Sequence, residues 1–152
     1  MKKIVLFALM AMSLYGAGYS VGQVVPPLSL KDQFGHTTQL TTMPKTVIMA
    51  FEKATAATVN DYLATQNKGY LAQNNAVFIA DISQMPSFIA TTFALPKLRT
   101  YAHPILLIEN EEEGLAFPAQ EGKITVLHFD HNRVSGIDFV SNATELKKGI
   151  AP

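Results

Sequence analysis

The stretch VIMAFEKATAATVNDYL, Val47 to Leu63, decides how this chain folds. Thr46 to Phe51 is a short apolar run with β-branched residues, the profile of a buried strand. The periodicity then changes. Val59, Tyr62, Leu63 and Gln66 fall at i, i+3, i+4 and i+7, which predicts a helix from Thr55 to Gln66 with Thr55 as its N-cap. A buried strand running into a helix is a junction where a reactive thiol is often placed, because the helix N-terminus lowers the thiol pKa. This chain has no cysteine at any position.

The same alternation continues downstream. Asn74-Asn75 turns the chain into AVFIAD, a second buried strand. Ser83 is placed to cap a second helix, with Pro86 in its first turn, where a missing N–H costs little. Met85, Phe88, Ile89, Thr92 and Phe93 form its mostly apolar face, Met85 and Phe88 being read as core, and Pro96 is expected to end it. PILLIE, Pro104 to Glu109, is a third strand of this type, and ENEEEG after it reads as a solvated turn. Its consecutive carboxylates lack the alternate spacing of a calcium loop. KITVLHFD and RVSGIDFV read as strands joined by a hairpin at Asp130-His131-Asn132, and Asn142 caps a closing helix to Ile150. Upstream, GQVVPPLSLKDQFG is an extended arm with a turn, and His36 to Leu40 is a short returning strand. Strands alternating with helices imply a parallel centre, and the terminal hairpin implies an antiparallel edge. The expected class is therefore α/β: a mixed sheet with flanking helices and a C-terminal hairpin plus helix.

Length and charge narrow the function. At 152 residues the chain suits one domain. Lys2 and Lys3, the apolar run from Ile4 to Leu14 and the small residues Gly16, Ala17, Gly18 and Ser20 form the pattern of a secretory signal peptide over residues 1–20. Cleavage between about Ala17 and Ser20 would leave a domain over residues 21–152, exported to the periplasm of a Gram-negative cell. Removing two lysines and no acid changes 12 against 12 into 10 against 12, a net charge of −2. That balance gives no electrostatic footprint for nucleic acid. No later apolar run is long enough for a membrane span. Export leads to an oxidising compartment, yet the chain uses no disulfide, so packing must supply its stability.

The layout resembles the thioredoxin-like superfamily, in the exported branch of TlpA-type reductases and peroxiredoxins. Gly22, Pro26 or Pro27, Leu30, Asp32, Gly35 and Leu40 fit that branch's opening pattern of Gly, Pro, L-x-D-x-x-G and Leu, and Lys45 to Phe51 follows as the first core strand. HPILLIENEEEGLAFP is similar to the strand and connection inserted before the final hairpin. With Phe51 as the aromatic that ends the core strand, the resemblance puts the redox cysteines at Ala56 and Val59. The family's cis-proline falls on Gly122 or Lys123, or in a competing register on Pro104. The resemblance implies a scaffold whose thiol chemistry is absent, because exchange needs a thiolate.

The expected site follows from this. It is a binding groove of Glu52, Lys53, Thr55, Ala56, Val59, Gly122 and Lys123, with Arg99 or Tyr101 nearby, for an envelope protein, a peptide or a small ligand. No catalytic residue and no cofactor is expected. The competing reading is a small metal- or flavin-dependent oxidoreductase on the same scaffold. His128 and His131 are its weak metal candidates, with Asp130, His36 or His103 as further ligands. The bland reading of that pair is one strand histidine and one turn histidine. No motif supports flavin binding or hydrolysis.

Overall fold

In the computed structural model, which describes residues 18–152, the apolar run becomes the central strand β3 (Thr46–Ala50). All five of its residues are buried. It has parallel β4 (Ala76–Asp81) on one side and antiparallel β6 (Ile124–Asp130) on the other, so no position along it meets water. The arm supplies β1 (Leu28–Asp32) and β2 (Thr37–Leu40), and β5 (Leu106–Ile108) and β7 (Arg133–Val140) complete the sheet. The order is β2-β1-β5-β4-β3-β6-β7. Only β3, β4 and β5 run parallel, which is the mixed α/β sheet expected from the sequence.

Side chains alternate across the sheet and build two unlike layers. Ile48, Phe78, Leu107 and Val126 face one way and pack against α1 (Lys53–Ala64) through Val59 and Leu63, and against α6 (Ala143–Ile150) through Leu146 and Ile150. The steps β3 to β4 and β4 to β5 go in one direction along the sheet. Right-handed crossovers therefore put α1 and the helical residues 87–98 on this same face. Val47, Met49, Ile79 and Leu127 face the other way. They are covered by the arm (Val25, Leu30, Leu40) and by Phe117, which follows the short helix α5 (Glu111–Leu115).

Local structure departs from the sequence reading in several places. Helix α1 begins at Lys53 with Glu52 as N-cap, so Thr55 is its third residue and not its cap. The Thr55 hydroxyl accepts from the Glu52 N–H (3.3 Å) and donates to the Glu52 carbonyl (3.0 Å). A short helix α2 (Tyr70–Gln73) precedes the Asn74-Asn75 turn, where Asn75 takes the left-handed conformation that asparagine tolerates. ENEEEG is not a bare turn. Asn110 Oδ1 accepts from the Glu112 and Glu113 N–H groups (2.9 and 3.2 Å), and the three glutamates favour the positive end of the helix so formed.

Pro96 does not end the second helix. The chain passes from α3 (Ser87–Ile89) through a π turn (Ala90–Ala94) into α4 (Leu95–Leu98). Proline has no N–H to return to the preceding turn, and the helix widens ahead of it instead of stopping. Phe88, read as core, is 67% exposed and Phe93 is 62% exposed. The two rings meet edge to face with centroids 6.3 Å apart. Met85, the other residue read as core, is half-buried.

The expected signal segment lies outside the described residues up to Ala17. Gly18 to Ser20 belong to the fold: the Tyr19 N–H donates to Ala116 O (2.8 Å) and its ring packs on Phe117. No helix among the described residues is long and apolar enough to cross a membrane.

Candidate functional site: the cleft beside the first helix

A cleft of about 600 Å³ opens between α1 and residues 87–98, above the C-terminal ends of β3 and β4. Alanines create it. Ala50 and Ala80 form its floor, Ala56 and Ala57 stand on α1, and Ala94 faces them. These short side chains cannot close the gap between the layers. Ile89, Phe93 and Leu98 make the opposite wall apolar. The size is that of a small-molecule site, and strand ends are where open α/β sheets place ligands.

Polar groups gather at the two ends. Glu52, Lys53, Asp81 and Gln84 lie at the end nearest the start of α1. Glu52 is tethered there, its Oε2 accepting from the Gly122 N–H (2.8 Å), and Asp81 Oδ1 accepts from the Ser83 N–H (2.9 Å). Asn60, Lys97 and Tyr101 lie at the far end. The Lys97 ammonium sits 5.5 Å from the centroid of the Tyr101 ring, a cation–π contact. Neither Lys53 nor Lys97 pairs with a carboxylate among the described residues.

Behind the far end lies a buried polar network. His103 Nε2 is 2.8 Å from Asn60 Oδ1, and both residues are buried. Burial holds the His103 imidazole below its ordinary pKa, so it is neutral at pH 7 and its Nε2–H donates to the amide oxygen. The Asn60 Nδ2 is left as a donor with no protein acceptor among the described residues. The His103 carbonyl accepts from Gln33 Nε2 (2.9 Å), Gln33 Oε1 accepts from the Ile105 N–H (2.8 Å), and Arg99 Nε donates to the Gln33 carbonyl (2.8 Å). The network ties the turn of the arm to the chain entering β5, and so fixes where Asn60 can turn its amide.

Of the groove residues read from sequence, Glu52, Lys53 and Ala56 line this cleft, as does Tyr101. Thr55 and Val59 do not, because both are buried beneath α1. Gly122 touches the site only through Glu52, and Lys123 Nζ donates to Ser141 Oγ (2.5 Å) on the other side of β6. Arg99 is engaged with Gln33 rather than with the cleft. Because α1 starts early, Ala56 is its fourth residue, and its N–H already donates to Glu52 O (2.9 Å). A side chain at 56 stands one turn inside the helix, away from the first unpaired N–H groups.

The histidines are dispersed. His128 Nε2 meets Asp138 across the hairpin (2.9 Å), His131 Nδ1 meets its neighbour Asp130 (2.9 Å) and His36 Nδ1 meets Asp32 (3.3 Å). No group of three or more metal-ligating side chains converges among the described residues. No peptide bond among them is cis, Pro104 included.

No family model matches the sequence, and no curated protein matches it. Solved structures do match in shape. The peroxidoxin BcpB of Mycobacterium tuberculosis superposes with a TM-score of 0.57 at 16% identity, over 86% of this chain and 94% of the other. StoA of Bacillus subtilis gives 0.54 at 13%, over 84% and 98%. A thio-disulfide isomerase of Thermus thermophilus gives 0.53 at 17%, over 84% and 91%. The chain has a thioredoxin-like fold. At these identities it is the fold that is shared. In this thioredoxin-like chain the junction after the central strand carries Ala56 and Val59, and thiol exchange is closed to it for want of any sulfhydryl.

Proposed function

We propose that the protein is a redox-inactive thioredoxin-fold module of the cell envelope that works by binding, through the cleft beside α1. One observation carries this reading. The strand-end position that would serve thiol chemistry holds an open, largely apolar cleft, while the chain has no cysteine. The basic start and apolar run of residues 1–14 support export, and the packing of Tyr19 favours cleavage after Ala17 over cleavage after Ser20. The occupant of the cleft is an envelope protein segment, a peptide or a small ligand.

The test combines cell fractionation with native mass spectrometry and an absorbance spectrum of the purified protein. The expected result is an envelope location, no visible chromophore, and no dithiothreitol-dependent reduction of insulin. Stoichiometric flavin or metal in the purified protein would move the assignment to an oxidoreductase on the same scaffold. Insulin reduction by the pure chain would refute the reading outright.

A further inference from the structure

The cleft's polar groups are unevenly placed, with both carboxylates at the near end. Both carboxylates at the near end are already bonded to backbone N–H groups, Glu52 to Gly122 and Asp81 to Ser83. Both lysines lack a carboxylate partner among the described residues, and the first seventeen residues contain no acid that could supply one. At the far end all the unengaged groups can donate: the Asn60 amide, the Lys97 ammonium and the Tyr101 hydroxyl. Asn60 is only 2% exposed. Asn60 nevertheless lines the cleft, so its amide nitrogen has the cleft's space to donate into.

Resting on the binding reading above, we propose that the cleft binds a small amphipathic organic acid. Its carboxylate lies at the far end, between Asn60 Nδ2 and the Lys97 ammonium. Its hydrocarbon body lies along the alanine-lined wall of α1, against Ile89 and Phe93. His103 is a positioning residue: its Nε2–H holds Asn60 Oδ1, so the amide turns its donor edge to the ligand. The acceptor on the ligand completes a chain of bonds that begins at Gln33 in the arm.

Sodium octanoate is the probe, with 1-octanol and octylamine as neutral and cationic controls of equal chain length. Protein from cells expressing the whole chain is titrated and followed by amide NMR. Octanoate is expected to give saturable shifts confined to α1 and residues 87–103, with octanol and octylamine binding at least tenfold more weakly. Lys97→Gln, at the cleft end, should weaken octanoate about tenfold, the loss of one charge-assisted bond. Asn60→Asp keeps an acceptor for His103 but replaces the free donor with a carboxylate, and should abolish octanoate binding while favouring octylamine. Phe88→Ser, outside the cleft, should leave binding unchanged. Octanol binding as tightly as octanoate, Lys97→Gln without effect, or shifts scattered over the surface would each overturn the assignment. Native mass spectrometry separates the two levels: a neutral or cationic small molecule seated in the cleft would remove the acid but keep the binding module, and a cleft that takes no probe of any charge removes both.

Discussion

Two helices wall the cleft, and they are held in opposite ways. Helix α1 is continuous, capped by Glu52 and Thr55, and drives Val59 and Leu63 into the core against the central strands. The helix over residues 87–98 changes its hydrogen-bonding pattern twice, buries only Ala90 and Leu98, and turns Phe88 and Phe93 to solvent. One wall is an anchored part of the fold and the other is a lightly fastened cover. A cleft between them can adjust to an occupant by moving the cover alone, since stability within a domain is lowest where buried apolar contact is sparse.

The largest effect should come from breaking the anchored wall. Leu63→Ala removes a buried side chain from the layer under α1 and is expected to cost about 2–5 kcal/mol. The matching change on the cover, Ile89→Ala, removes a half-buried side chain and should cost no more than about 1 kcal/mol. Urea unfolding with unchanged slope measures both. Equal costs would erase the contrast between the two walls.

A smaller effect concerns the polar network behind the cleft. In the unfolded chain His103 protonates near the ordinary value of about 6.5, whereas burial among Asn60, Tyr101 and the Gln33 backbone bonds holds it lower in the fold. Between those two values the unfolded state binds one more proton, so stability falls as pH falls. The slope from this group is at most about 1.4 kcal/mol per pH unit, beginning near pH 6.5 and ending below the folded value. Above pH 7 His103 contributes no slope. The difference in pH slope between the natural chain and His103→Gln isolates this group from the exposed histidines. Identical slopes would show that His103 is not held neutral by the fold.

How far the sequence foretold each wall follows from what it needs. Strands β3 and β4 are read directly, because five or six consecutive apolar residues can hide only in the middle of a sheet. The hairpin of β6 and β7 and the Asn142 cap are likewise local signals. For residues 87–98 the apolar spacing is equally clear, yet it says only which side chains share a face. Whether that face is covered depends on what stands opposite, and among the described residues Phe88 meets only the edge of Phe93 and stays exposed. The cleft is less visible still. Its alanines come from four separate strand and helix segments, and His103 meets Asn60 from 43 residues away. A polar residue beside the apolar positions of α1 was the one available hint. Helix α1 starts two residues before the position its sequence suggests, because Thr55 is a good cap by type while the backbone makes it the partner of the cap.

The smallest stability effect should carry the clearest information about the cover. Phe88 and Phe93 are exposed to similar extents and touch each other, but only Phe93 lines the cleft. Phe88→Ser and Phe93→Ser should each change stability by less than about 0.5 kcal/mol, as surface substitutions usually do. Their effects on octanoate binding should separate. Phe93→Ser removes apolar wall that a hydrocarbon body would cover, at roughly 25 cal/mol for each Å² lost from contact, and binding should weaken several-fold. Phe88→Ser should bind as the natural chain does. If both variants weakened binding equally, the aromatic pair would be acting as one unit at the mouth, and the cover would extend farther than the cleft wall itself. If neither did, the hydrocarbon body would lie along α1 alone, and the lightly held helix would bound the cleft without contributing to its affinity.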